Sequence, residues 1–366
     1  MTAKKLIGRL ATAALAACAA VAFAAPVAAQ QAQTYPTDEA SLYAAAQKEG
    51  SLVWYVSGPL EAMKAVATTF EKKYPGIHVE VQRLVGVAQY QKFVQETQAH
   101  QYVTDLVSIS DQPSIKSLAD MGLLADWKIP TSDRFPDDMH VGNFSYAPYT
   151  NDNVIVYNPT KVTPDEVKLL STWKGLLDPV FKGRIAITDQ TCGACYAMVH
   201  MATDPKFQDE YGWNFLTALA AQQPTVYSDI ISVADRVLVG EKDVGVWPAE
   251  GIPYLKWKQG APIRWTHPSP TPVEGTNWSA ISAFAPHPNA ARLFQDWTLG
   301  DEGALAYENI YGAVSAMSGV PDQRDVTKED WYQPITQKYV PDMERWTKDF
   351  GPDMERWGKM LRDASR

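Results

Sequence analysis

The chain has 366 residues, 46% of them hydrophobic, with 42 acidic and 33 basic side chains and a net charge of −9. That length points to two domains rather than one. The acidic balance, with no basic run, argues against nucleic acid as a partner, and three cysteines are too few for a disulfide-built scaffold.

The first 29 residues read as a secretory signal peptide: Lys4, Lys5 and Arg9, an Ala/Leu-rich run, then Val27-Ala28-Ala29 before Gln30. The stretch Leu15-Ala16-Ala17-Cys18 also resembles a lipoprotein box. The apolar run continues past Cys18, so soluble export is expected over a lipid anchor. No later stretch is apolar for long enough to span a membrane.

Glu39 to Lys48 reads as a short helix. Ser51 to Val56, SLVWYV, is a buried strand closed by Ser57-Gly58-Pro59. Leu60 to Tyr74 has helical periodicity and stops at Pro75-Gly76, and Ile77 to Val81 alternates as a strand. The pattern continues with a helix over 90–100, a strand over 104–109 and a helix over 112–121. Strands follow at 154–157 and 183–187, and a packed turn surrounds Trp173. Helices are expected over 194–203 and 230–239, a strand over 244–247 and a helix over 289–299. This alternation predicts an α/β fold with mainly parallel strands and ligand-facing loops at strand carboxyl ends.

Two segments break the pattern. The Pro-rich stretch 261–275 reads as an extended crossing rather than sheet core. The hexapeptide PDMERW occurs at 341–346 and again at 352–357, and two short packed helices are expected there, each with Pro in its first turn.

The motif TCGACY, 191–196, places Cys192 and Cys195 in a C-x-x-C at the start of a helix. A local disulfide or thiol pair, ordinary packing, a redox pair and a metal site all remain open. A zinc site lacks its further ligands: there is no second cysteine pair and no His-x₃₋₅-His. The chain contains no HExxH, G-x-S-x-G, Walker loop or G-x-G-x-x-G, so binding is expected rather than catalysis. No cofactor and no metal are expected.

The stretches GSLVWYVSG, FEKKYPGIHVEV, DLVSISD, NVIVYNP, TWKGLLDPVFKGRIAI, VLVGEKDVGV, KQGAP and APHPNAARLFQDWTLGDEGALAY follow one another along nearly the whole chain. In that order they resemble the extracellular solute-binding proteins of ABC importers, in the branch that includes ferric-iron and phosphonate binders. The resemblance implies an α/β, type II two-lobe fold, with two mixed sheets flanked by helices and a crossing hinge. The lobes would comprise 36–149 with 268–312, and 150–267 with 313–366. It also implies a monomeric periplasmic receptor that traps a small solute between its lobes and delivers it to a membrane permease.

On the same basis the solute is expected to meet the turns at Ser57-Gly58, Ser110-Asp111, Thr191-Cys192-Gly193-Ala194 and Ser228-Asp229, together with Tyr149 and Arg83. The Ser and Asp residues read equally as helix caps. Ferric binders of the family carry adjacent tyrosines shortly after the stretch matching Gly240 to Gly245. Here Val246 to Tyr254 holds one tyrosine, with Trp247 and Glu250 near the ligand-facing positions. An indole and a carboxylate suit an organic, polar solute. The rival readings are a ferric-iron receptor of the same fold and a periplasmic thiol oxidoreductase using Cys192 and Cys195.

Overall fold

A computed structural model of the protein describes residues 34–364, apart from Val85 and 190–192, and gives the backbone alone at Gly86, Val87, Gly193, Ala194, Trp247 and Glu274. The expected signal peptide, Thr191 and Cys192 lie outside the described residues. The fold is that of the chain from Pro36 onward.

In chain order the strands are β1 (Ser51–Val56), β2 (His78–Arg83), β3 (Leu106–Ile109), β4 (His140–Val141), β5 (Ser145–Tyr146), β6 (Tyr149–Tyr157) and β7 (Ile185–Thr188). They continue as β8 (Thr225–Tyr227), β9 (Val244–Ala249), β10 (Arg264–Thr266), β11 (Thr271–Thr276), β12 (Trp278–Ile281), β13 (Val314–Ser315) and β14 (Lys338–Tyr339). They form two sheets. The first has the order β2-β1-β3-β12-β5-β4 and the second β14-β11-β6-β9-β7-β8, with β10 and β13 also paired to β6.

β1 runs parallel to β2 and β3, and β7 runs parallel to β8 and β9. Against the expectation of mainly parallel strands, β6 is antiparallel to β9, β10, β11 and β13, and β12 is antiparallel to β3 and β5. Parallel neighbours need a crossover helix between them. β6 and β12 instead enter directly from the other sheet, after very short links, and so arrive antiparallel. The result is the two-lobe α/β fold with two mixed sheets.

β1 shows why the parallel strands are continuous apolar runs. Leu52, Trp54 and Val56 face a core with the helices Leu60–Lys73 and Pro288–Thr298, while Tyr55 faces a second core with the helices Gly86–Gln98 and Gln112–Asp120. A strand covered on both faces has no polar side. Trp54 is fully buried and donates its Nε1–H to Ser108 Oγ at 2.8 Å, so its one polar atom is satisfied.

The second sheet is covered likewise. The helices Gly193–Ala202, Gly212–Ala221 and Met343–Ala364 lie over one face, and Ile230–Leu238 and Gly251–Lys258 over the other.

Polar caps fix how the helices meet. Asp38 Oδ1 accepts Ser41 N at 2.9 Å to start the helix Glu39–Glu49, and Gly50, at φ 74°, ends it. Glu49 at its last position then accepts Asn289 N at 3.0 Å and Ala290 N at 2.7 Å, capping the helix Pro288–Thr298 from outside.

Two sequence expectations change. The Pro-rich segment 261–275 does not simply cross between lobes: it supplies β10 and most of β11, both paired to β6. The chain changes sheets at Asn277, between β11 and β12. The two PDMERW copies do not make two helices. The first copy opens one helix, Met343–Ala364, with Asp342 Oδ1 accepting Glu344 N at 2.9 Å, and the second continues it, with Pro352 inside.

Candidate functional site

The chain passes between the sheets at Ala147-Pro148, between β5 and β6, and at Asn277, between β11 and β12; Gly312 follows the helix Asp301–Tyr311 and leads to β13. These links fix which sheet ends face each other. The first residue of β12, Trp278, pairs with the last residue of β3, Ile109, so β1, β2 and β3 end beside the Asn277 crossing. Asn153, midway along β6, pairs with the last residue of β9, Ala249, so β9 and its parallel neighbours β7 and β8 run toward the end of β6 that starts at the crossing. Both sheets thus direct the carboxyl ends of their parallel strands toward the junction, where α/β sheets bind ligands.

Asn277 organises the first-sheet side. It is 1% exposed and has φ 57°, a left-handed backbone that Asn tolerates better than most residues. Its Oδ1 accepts the Ser57 hydroxyl at 2.8 Å. Its neighbour Thr276 donates its hydroxyl to the Ser110 carbonyl at 3.4 Å. Arg83, exposed at the end of β2, donates Nε–H to the Gly58 carbonyl at 3.0 Å. The turns after β1, β2 and β3 are therefore joined to each other or to the crossing.

Asp111 serves as a helix cap: its Oδ1 accepts Ser114 N at 2.9 Å, opening the helix Gln112–Asp120. Tyr149 is 2% exposed, and its ring lies 5.0 Å from Tyr307 and 5.7 Å from Tyr311. Burial, together with the two phenols beside it, holds its own phenol well above the ordinary value, with the Asn277 amide opposing.

On the second-sheet side, β7 is followed by the helix Gly193–Ala202, which begins at Gly193 and Ala194. Cys195 is fully buried and disulfide-bonded, and its partner lies outside the described residues. The helix Met343–Ala364 holds the start of this element: Tyr196 donates its hydroxyl to Asp353 at 3.0 Å, and Arg362 Nη1 lies 3.5 Å from Asp189 Oδ2.

β8 leads into Ser228 and Asp229. Asp229 caps the helix Ile230–Leu238, accepting Ser232 N at 2.8 Å and the hydroxyls of Ser228 and Ser232 at 2.9 Å. The Ser232 amide in particular lowers its carboxyl below the ordinary range. Trp247 lies on β9, between β7 and β6.

Glu250 departs from expectation. It is 3% exposed, and its carboxylate is engaged inside the second lobe rather than free for solute. Oε1 accepts Trp265 Nε1–H at 2.9 Å, and Oε2 meets Arg324 Nη1 at 3.0 Å. Burial alone would raise this carboxyl, but the charges of His267 and Arg324 outweigh it and hold Glu250 ionised. Arg324, itself without exposed side-chain surface, also donates to the Gly312 carbonyl at 3.0 Å and pairs with Asp322 at 2.8 Å.

Asp152 and His267 complete this buried group: one donor atom from each of Asp152, Glu250 and His267 falls within 4.8 Å of the others. Burial and the Glu250 carboxylate raise Asp152, while Glu250 raises His267 against the opposing effect of burial.

Sequence reasoning named Glu250 but missed Asn277 and the partners of Glu250. The Gly-Thr-Asn triplet before a strand is a turn signal that marks the crossing. Asp152, His267 and Arg324 lie far apart in the chain, and no spacing joins them.

Among solved structures, iron-bound HitA from Pseudomonas aeruginosa is 23% identical over 86% of this chain and 99% of its own, with a TM-score of 0.65. The substrate-binding protein of an ABC transporter from Agrobacterium tumefaciens is 20% identical over 85% and 94%, with a TM-score of 0.67. AfuA from Actinobacillus pleuropneumoniae, solved with fructose-6-phosphate, is 22% identical over 86% and 99%, at 0.63. At these identities the likeness is one of fold. No curated protein matches the chain. The profile described as bacterial extracellular solute-binding protein matches residues 65–333, well over half of the sequence. The chain is therefore a member of the bacterial extracellular solute-binding protein family.

Proposed function

We propose that the protein is the periplasmic receptor of an ABC importer, holding a small, organic, polar solute between its two lobes and presenting it to the membrane permease. The observation that carries this reading is the meeting of strand carboxyl ends from both sheets at the crossings, with Ser57, Gly58, Arg83 and Ser110 on one side and Gly193, Ala194, Ser228 and Asp229 on the other. Free backbone N–H groups at such turns suit polar or anionic groups. Closure of the lobes about the crossings then buries the solute, a motion for which the handling of solutes by periplasmic binding proteins is the standard example.

In this reading the first lobe comprises 36–148 with 278–312, and the second the remainder of the described chain. Thr191 and Trp247 meet the solute from the second lobe, and Cys192 is the partner of Cys195. A buried, disulfide-bonded Cys195 suits a bond that shapes the turn better than an exposed thiol nucleophile. Iron is the rival ligand, as in the HitA structure. Against it, the region after Gly245 offers a single tyrosine.

The test is a thermal-shift screen of the processed protein against panels of amino acids, polyamines, sugars, organic phosphates and ferric citrate. A ligand that binds only the folded state at 100 times its Kd adds about 2.7 kcal/mol of stability. A shift with an organic solute is expected. Uptake of one Fe(III) per chain would replace this reading with the ferric one.

A further inference from the structure

We propose that Asp152, Glu250 and His267 form a closed site for one divalent transition-metal ion of the zinc type, behind the solute junction and separate from it. Asp152 lies on β6, Glu250 follows β9, and His267 lies between β10 and β11, so the ion would tie together the strands nearest the crossings.

The imidazole carries the argument. His267 Nδ1 stands 2.8 Å from the Gln333 carbonyl oxygen, an acceptor, so Nδ1 holds the proton and donates it. In the neutral ring this leaves Nε2 with a bare lone pair. Nε2 is buried, makes no hydrogen bond, and faces Glu250 Oε1 at 3.4 Å. The His267 side chain is only 1% exposed, so water does not reach it freely. An imidazole nitrogen without a hydrogen bond and two carboxylates thus converge on one buried point, which calls for positive charge there, from a second ring proton or from a metal ion.

The spacing fits a metal better than a proton. A charge-assisted N–H···O bond is about 2.7–2.9 Å long. Two ligands each about 2.1 Å from a tetrahedral ion stand about 3.4 Å apart. A carbonyl on the remote imidazole nitrogen is also the usual outer partner of a metal-bound histidine. The carboxylates have theirs: Asp152 Oδ1 accepts the Thr150 hydroxyl at 2.9 Å, and Arg324 holds Glu250 Oε2.

Charge agrees. The carboxylates of Asp152 and Glu250 face one guanidinium, that of Arg324, which is shared with Asp322, so a divalent ion would supply positive charge there in place of a second proton on His267. One imidazole and two carboxylates, without thiolate, suit zinc or a similar ion better than calcium or magnesium, which prefer all-oxygen sites.

The test uses the processed protein stripped with a chelator and titrated with zinc chloride, with calcium and magnesium chloride in parallel. One zinc per chain and a raised Tm are expected, with little response to the other two ions. His267→Ala and the near-isosteric Asp152→Asn should each weaken zinc binding by more than the roughly 10–100-fold typical of an outer-shell group. Circular dichroism of the Asp152→Asn apoprotein checks that the fold survives. Absence of zinc binding, or binding unchanged in both variants, would overturn the proposal. So would an imidazole NMR signal showing His267 protonated on both nitrogens at neutral pH with zinc present.

Discussion

Ser57 and Asn277, 220 positions apart in the chain, share a hydrogen bond of 2.8 Å, with the serine hydroxyl donating to the amide oxygen. It joins the end of the first strand to the point where the chain leaves the second sheet. The turn after β1 and the crossing are therefore tied together.

Replacing Asn277 tests that link. Asn277→Ala and Asn277→Gly both lose the side-chain amide and its bond to Ser57, but only the alanine places a Cβ in a left-handed backbone. Urea unfolding should find the alanine variant less stable than the glycine variant by about 1–2 kcal/mol. Equal stabilities would mean that the φ of 57° is not held in solution.

Trp247→Ala should weaken solute binding by at least about tenfold, or roughly 1.4 kcal/mol. The melting temperature of the unliganded protein should fall by no more than a few degrees. A large fall in melting temperature with unchanged affinity would assign Trp247 to the core of the second lobe instead.

The double variant Cys192→Ser/Cys195→Ser should remain folded and keep solute affinity within about tenfold. A bond between these two positions closes a very short loop, and short loops restrict the unfolded chain least. Failure to fold, or dithiol-dependent turnover by the parent protein, would contradict this account of the motif.

His200 supplies a pH dependence. Its ring is fully buried, with Nδ1 2.7 Å from the Tyr339 hydroxyl oxygen, and Nε2 makes no hydrogen bond. Burial, reinforced by the Arg345 charge, depresses its pKa to about 3. The unfolded chain, with an ordinary value of about 6.5, takes up a proton that the folded state refuses. Stability from this residue is therefore complete above about pH 6.5 and is lost as pH falls toward about 3, by at most about 1.4 kcal/mol per pH unit. Urea midpoints at several pH values between 7 and 4 should show a shallower decline in His200→Gln than in the parent. Parallel declines would show that His200 takes up its proton while folded.

The parts of the fold that were legible in the sequence are those where one local signal suffices. SLVWYV can only be a strand buried on both faces, and the Asp38 and Gly50 punctuation brackets its helix neighbour. Local signals failed where tertiary pairing decides. Prolines in 261–275 argue against a sheet, yet β10 and β11 find their partner in the long strand β6.

Pro352 argues for a helix break, but the two PDMERW copies lie eleven residues apart, close to three helical turns. Trp346 and Trp357 therefore share one buried face of a continuous helix, together with Met354 and Leu361. Burial on that face outweighs one missing hydrogen bond. At the site, turns at strand ends were readable because Ser, Asp and Gly mark them. Glu250 was not, because its partner Arg324 is fixed only by the fold.

Small-angle scattering with and without the organic solute found in the screen tests the central claim most directly. If solute is held between two lobes that close about Ala147-Pro148 and Asn277, the radius of gyration must fall at saturation. An unchanged radius of gyration, with binding confirmed in the same sample by calorimetry, would contradict the two-lobe trapping mechanism.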